Sequence, residues 1–226
     1  MKAEAEEDLK RHAAEGDSDW IEALREVVRD ILRDNGYWRA QVTIEKIVLT
    51  ADADQDHVLL AIRASEGIQY RVGDIQFKGG RVFSPWQLRS QIPLREGAIF
   101  DLGKLRKGVE NLTKMYDPLG YVNFTASPGI EIDEAQQRIS VTFELEEDKL
   151  FTVGRVEVLG LASDAFENGL KMRLKTGDTF NPQLVDQFFS DNKGILPPLA
   201  SKENVQIRQN AVDNTVEVVF DFRSCP

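Results

Sequence analysis

The stretch TADADQDH, residues 50–57, sets carboxylates at alternate positions: Asp52, Asp54 and Asp56. Calcium loops of the EF-hand type open this way, but they need glycine at the sixth position and a bidentate glutamate at the twelfth. Here those positions hold His57 and Arg63. The run therefore reads as an aspartate-rich turn between strands, where Asp is a favoured turn former, and no metal is expected. His12 and His57 are the only histidines and share no grouping with a nucleophile or a further base. The single cysteine, Cys225, excludes an internal disulfide. Neither a glycine-rich phosphate loop nor a nucleophile elbow occurs. Asn111-Leu112-Thr113 and Asn123-Phe124-Thr125 fit the glycosylation sequon, the first inside a predicted helix. The chain is expected to be no enzyme and to need no cofactor.

The chemistry that is left belongs to the backbone and to surface charge. With 226 residues, 38 acidic against 28 basic side chains and a net charge of −10, nucleic acid is a poor partner, because phosphate binding needs a basic excess. A hydrophobic fraction of 42% suffices for folded cores. No apolar run reaches the roughly 18 residues of a membrane-spanning helix. The first residues, MKAEAEEDLKRHAAEGD, have no apolar signal-peptide region. That fits either a cytoplasmic chain or one whose signal was cut away.

The sequence repeats itself. RISVTFELEEDKLFTVGRVEVLG, from Arg138, overlays HVLLAIRASEGIQYRVGDIQFKG, from His57. The overlay pairs Val58 with Ile139, Leu60 with Val141, Ile62 with Phe143, Tyr70 with Phe151 and Gly73 with Gly154. LREGAIF (94–100) matches LKTGDTF (174–180), and Gly36-Tyr37 matches Gly120-Tyr121. The unit is about 80 residues, enough for a small core of its own.

Within the middle unit, VGDIQFKG (72–79) alternates as a strand. Ser84-Pro85 presents an N-cap followed by proline at the first helical position, opening a short helix through Trp86, Leu88 and Ile92. Asp101 caps a second helix with apolar residues at 102, 105, 109, 112 and 116. Pro118 and Gly120 must end it. Two strands follow, Tyr121 to about Ile132 and Ile139 to Leu145, so the order is β-α-α-β-β. Pro128-Gly129 is expected to interrupt the first of them. The leading unit repeats this order without its first strand: Ser18 or Asp19 caps a helix bearing Trp20, Leu24, Val27, Val28 and Ile31, and strands follow near 41–49 and 57–64. The last unit keeps its first strand at 155–159, starts a helix at Asn181-Pro182, diverges through a Pro-Pro loop and closes on a strand at 216–222.

These features, in this order, are similar to a polypeptide-transport-associated (POTRA) domain. The resemblance rests on the strand ending in Gly79, on Leu94-x-x-Gly97-x-x-Phe100, and on Leu105…Leu112…Tyr116-x-x-x-Gly120-Tyr121. It covers residues 71–147 well and 151–223 moderately, and leaves 17–70 as a copy lacking its first strand. It implies an α+β fold of tandem domains, each a three-stranded mixed sheet covered on one face by two helices, with boundaries at 1–70, 71–150 and 151–226. The short links at 65–71 and 146–152 lack flexible Gly/Ser stretches, which predicts a fairly rigid, elongated array.

In that family such domains stand in the periplasm before an outer-membrane β-barrel that inserts or exports proteins. The resemblance thus implies a non-catalytic module that binds unfolded or extended polypeptide, partnered by a barrel in cis or in trans and by accessory envelope proteins. A barrel-less adaptor docking on a folded envelope protein is the alternative. Layered sheets leave at least one strand edge unpaired, and an unpaired edge can accept an extended peptide. The resemblance points to the second strand of each unit: Tyr121, Val122, Asn123, Phe124 and Thr125 in the middle unit, and Gln41, Val42 and Thr43 in the first. The competing assignment has these residues only completing their own sheets.

Overall fold

The computed structural model describes residues 19–50, 56–161, 165 and 169–223. The charged N-terminal segment, Ser18, Asp52, Asp54 and Cys225 lie outside them. The elements run α1 (Asp19–Asp34), β1 (Gln41–Thr50), β2 (Asp56–Ser65), β3 (Arg71–Lys78), α2 (Pro85–Ser90), α3 (Leu102–Tyr116), β4 (Thr125–Asp133), β5 (Arg138–Glu146), β6 (Thr152–Leu159), α4 (Gln183–Asp191), β7 (Val205–Asn210) and β8 (Thr215–Asp221). They build three sheets, with strand orders β1-β2, β3-β5-β4 and β6-β8-β7. Contacts group them into two compact units. One runs to Gln76 and adds Ile92–Gly108 and Gly129–Thr142; the other holds Phe77–Gln91, Val109–Pro128 and the chain from Phe143.

The fold is α+β with mixed three-stranded sheets, as the β-α-α-β-β periodicity predicts. The third sheet shows why. β6 runs parallel to β8, because a crossover carrying α4 joins the two halves. β7 runs antiparallel to β8, Val205 opposite Phe220 and Asn210 opposite Thr215. The central strands carry the cores. Ile139, Val141, Phe143 and Leu145 of β5, and Val216, Val218 and Phe220 of β8, are buried while their neighbours are not. Each such side chain contributes roughly 1.5–3 kcal/mol by leaving water. Leu88, Leu102, Leu105, Gly108, Leu112 and Tyr116 are the buried residues of α2 and α3.

The helix signals act as expected. Ser84 accepts from the Gln87 amide and the Gln87 side chain accepts from the Ser84 amide, a reciprocal capping box at α2. The Lys104 amide donates to Asp101 Oδ1 at 2.8 Å at the start of α3. α3 ends at Tyr116, and a 3₁₀ turn carries the chain over Asp117–Leu119 to Gly120 at φ +82°. Asn181 Oδ1 accepts from the Gln183 amide at 3.0 Å to start α4.

Two sequence expectations need correction. The strand after Gly120 begins at Thr125 instead of Tyr121, for reasons given below. Pro128 does not interrupt it: β4 continues to Asp133. β4 lies at the edge of its sheet, and an edge strand tolerates a residue without an N–H. One strand escaped the sequence, β7, whose VQIRQN carries two apolar residues among polar ones.

The repeat recurs in the hydrogen bonds at the links. Tyr70 N–H donates to Gly36 O at 2.8 Å, and Tyr70 O accepts from Phe100 N–H at 3.0 Å. Phe151 N–H donates to Gly120 O at 2.9 Å, and Phe151 O accepts from Phe180 N–H at 3.0 Å. Val72 with Ala98 and Gly97, and Val153 with Asp178 and Gly177, complete the two matching ladders. Gly36 and Gly120 both adopt positive φ, and a Cβ on Gly120 would lie 2.7 Å from Thr179 Cγ2 and 2.8 Å from Phe151 O. Gly97 also has positive φ, at +77°, but a Cβ there would meet nothing within 4 Å. Gly97→Ala is therefore expected to cost about 1 kcal/mol, for left-handed strain alone. Gly120→Ala, with strain and backbone collision together, is expected to cost about 2–4 kcal/mol. Urea unfolding of the two variants measures both, and equal costs would contradict the close approach.

Candidate functional site

The middle sheet leaves β4 with one side unpaired in the order β3-β5-β4. Where that edge becomes available is decided by Tyr116, the last residue of α3, which is fully buried. Its ring stacks on Phe124 with centroids 3.9 Å apart and planes at 10°. Phe83 and Tyr121 meet it edge-on at 4.9 and 5.6 Å. Its hydroxyl donates to Glu147 Oε1 at 2.8 Å. The same oxygen accepts the Arg81 and Val82 amides at 2.7 and 2.9 Å.

This arrangement uses up most of the residues that the sequence assigned to the middle edge. Val122 N–H donates to Gly120 O and Phe124 N–H to Tyr121 O, so the segment is a turn. Val122 packs on the buried cluster that holds Phe151 and Phe180. Asn123 Nδ2 donates to Asp148 Oδ2 at 2.8 Å. Of the five, only Thr125 lies in a strand. The signal that sequence reading passed over was the aromatic spacing Tyr116, Tyr121, Phe124, which suits a cluster better than an alternating strand.

From Thr125 onward β4 is exposed at most positions, with Ala126 its one buried residue. Gln41, Val42 and Thr43 do lie in a strand, β1, which pairs with β2 alone from Gln41↔Ser65 to Thr50↔Asp56. Val42 and Ile44 point into the core, and Gln41, Thr43 and Glu45 are exposed. β7, at the edge of the third sheet, is almost wholly exposed. The geometry supplies rows of main-chain donors and acceptors along these edges. Among the described residues, no group of three or more His, Cys, Asp or Glu side chains is placed to hold a metal.

Comparison with known proteins places this geometry. A family model for POTRA, "Surface antigen variable number repeat", matches residues 70–148. Residues 70–148 are a POTRA domain. The likeness continues beyond that stretch. BamA, an outer membrane protein assembly factor of Neisseria meningitidis serogroup B, is 23% identical over 204 residues, covering 84% of this chain and 26% of that protein. A Treponema pallidum protein named for outer membrane protein assembly is 28% identical over 167 residues, covering 71% of this chain and 20% of the relative. The chain thus spans about a fifth to a quarter of the length of these relatives. The crystal structure of Haemophilus influenzae BamA POTRA3-5 superposes with a TM-score of 0.69 at 22% identity, covering 89% of this chain and 79% of that one. The fold described above is therefore the POTRA fold.

The Tyr116–Glu147 pair that ends the POTRA helix carries a pH signature. Burial alone would raise the Glu147 carboxyl, but the Val82 and Arg81 amides and the Tyr116 hydroxyl outweigh it and hold the carboxyl below the ordinary glutamate range. Burial, and then the bond to Glu147, push the Tyr116 phenol upward. A depressed carboxylate lends stability above its unfolded pKa, which is lost as the pH falls through the lower folded value. Urea midpoints measured from about pH 7 down to about pH 3 should therefore fall for the native chain, and fall less steeply for Glu147→Gln. Identical slopes would show that Glu147 takes no part in acid unfolding.

Proposed function

We propose that the chain is a non-catalytic, polypeptide-binding array of three POTRA-type domains, with boundaries near residues 70 and 150. It works in the periplasm beside an outer-membrane β-barrel, carried in cis or in trans, together with accessory envelope proteins. Extended client segments add to the free edge of β4 from Thr125 to Asp133, and to that of β1 around Gln41, Val42 and Thr43. The observation that carries this reading is the position of β4: outermost in its sheet, paired on one side only, and exposed at most positions. The assembly factors similar to this chain support the setting.

Energetics suit a transient receptor. Each added main-chain hydrogen bond contributes about 1 kcal/mol net, and ordering each client residue costs a similar amount. A short client is therefore held weakly at one edge, and main-chain pairing reads no particular sequence. Several edges in one chain raise the overall hold without new contacts.

The test is titration of isotope-labelled protein with an extended, alternating peptide. Shifts are expected along Thr125–Asp133 and at Gln41–Thr43, with a dissociation constant of about 0.1–1 mM. Shifts confined to α2 and α3 would overturn strand addition and leave an adaptor that docks through its helices.

A further inference from the structure

The loop that leads into α3 holds a feature that the strand edges do not use. Pro93, Leu94, Arg95, Ala98, Ile99 and Lys104 line a cleft of about 240 Å³. Sites that take a whole small molecule run to roughly 300–1,000 Å³, so this one is the size for a single side chain. Main-chain bonds hold its walls in place: Gly97 N–H donates to Val72 O, Val72 N–H to Ala98 O and Ala98 N–H to Arg95 O, at 2.8, 2.8 and 3.0 Å. A cleft set in this way costs little to order when it is filled. Ile99, in its wall, is 42% exposed.

The charge around the cleft runs against that of the chain. The whole carries −10, but the stretch from Leu94 to Lys107 holds four cations, Arg95, Lys104, Arg106 and Lys107, and two acids, Glu96 and Asp101. Arg106 reaches Asp30 and Lys104 reaches Asp101, each at 2.8 Å. Arg71 Nη1 donates to Gly97 O at 2.9 Å and adds a cation beside the same loop. Arg95 differs from these: among the described residues its exposed guanidinium makes no hydrogen bond or ion pair. The repeat shows that the fold does not require this set. In the matching stretch Lys175 keeps the charge of Arg95, but Asp178 stands for Ala98, Thr179 for Ile99 and Leu184 for Lys104. An unpaired cation and an exposed isoleucine on one preformed cleft are thus particular to the POTRA domain at 70–148.

We propose that this cleft docks a short acidic segment of a partner protein. One apolar side chain of that segment fills the space between Pro93, Ala98 and Ile99, and carboxylates on either side of it meet Arg95 and Lys104. Arg95 can take a carboxylate in two parallel hydrogen bonds without giving up an existing partner. Lys104 is shared with Asp101 at small cost, because its side chain is 55% exposed and such pairs are worth little. Charge and lining decide the class of partner. A long polyanion such as nucleic acid would extend more than about 8 Å beyond these cations and meet the net charge of −10. The lining also offers its bases no aromatic ring to stack on. The site uses no residue of β1 or β4, so it stands or falls without strand addition.

The probe is a capped peptide with one leucine between two pairs of glutamates, added to the isotope-labelled full chain. Amide shifts are expected at Leu94–Lys104 and not at Leu174–Leu184, with a dissociation constant below about 1 mM. Raising the salt from about 0.05 to about 0.5 M should weaken the peptide at least about fivefold. Arg95→Gln and Ala98→Leu, the second filling the cleft, should each do the same and leave the urea midpoint nearly unchanged, since both positions are exposed. Serine in place of the peptide's leucine should weaken it by about as much. Unchanged binding in either variant, or equal binding of the serine peptide, would overturn the proposal. So would shifts that miss Leu94–Lys104, equal binding of a peptide with lysines for the glutamates, or tighter binding there of a single-stranded DNA oligomer. If this peptide binds as expected while the alternating one leaves β1 and β4 unshifted, only strand addition falls.

Discussion

A helix that closes on a left-handed glycine passes its carbonyl to the first amide of the following sheet, and everything downstream takes its direction from that bond. At Gly36 and again at Gly120 the geometry is the same: the glycine oxygen takes the N–H of an aromatic residue, whose own oxygen takes the N–H of a phenylalanine from the Gly-x-x-Phe segment. Any side chain on Gly120 would press into Thr179 and the Phe151 carbonyl. The bond explains why aromatic residues open these sheets. Tyr70 and Phe151 are buried, anchoring main chain and core at one point.

Once the link is set, the sheet order follows and decides where the free edges fall. A strand that enters from the link and is followed by helices must cross over before its sheet can close, so it pairs in parallel with the last strand of its domain, as β6 does with β8. The hairpin partner of that last strand is left outermost. β4 and β7 occupy this position, with water along one side and little burial of their side chains. The edge is thus a product of connectivity. It asks nothing of the residue types along it, which is why polar sequences as unlike as TASPGIEID and VQIRQN both serve.

This also explains what sequence could reveal. The helices were legible because caps, prolines and glycines act locally: Ser84, Asp101, Asn181 and Gly120 each do what their type predicts. The central strands were legible because both helix and sheet demand apolar residues there, as at Ile139–Leu145. The start of β4 was not. Tyr121 to Phe124 alternate like a strand, and only the three-dimensional meeting of Tyr116, Phe83, Phe124 and Glu147 turns them into a fastened turn. β7 was hidden for the opposite reason, since an outermost strand buries so little that no pattern is imposed on it. Of the residues assigned to binding from sequence, Gln41, Val42, Thr43 and Thr125 do lie on strands, and the aromatic ones belong to packing.

Pro128, set in the middle of β4, has an effect beyond its own sheet. Two identical outermost strands from neighbouring molecules tend to zip into a continuous ladder, the first step toward fibrils. A ring nitrogen with no hydrogen leaves one rung out of any such ladder, and the omission recurs with every copy that joins. An endless stack of siblings cannot form across that recurring gap. Resistance to edge-to-edge stacking thus falls, in part, to a single imino acid.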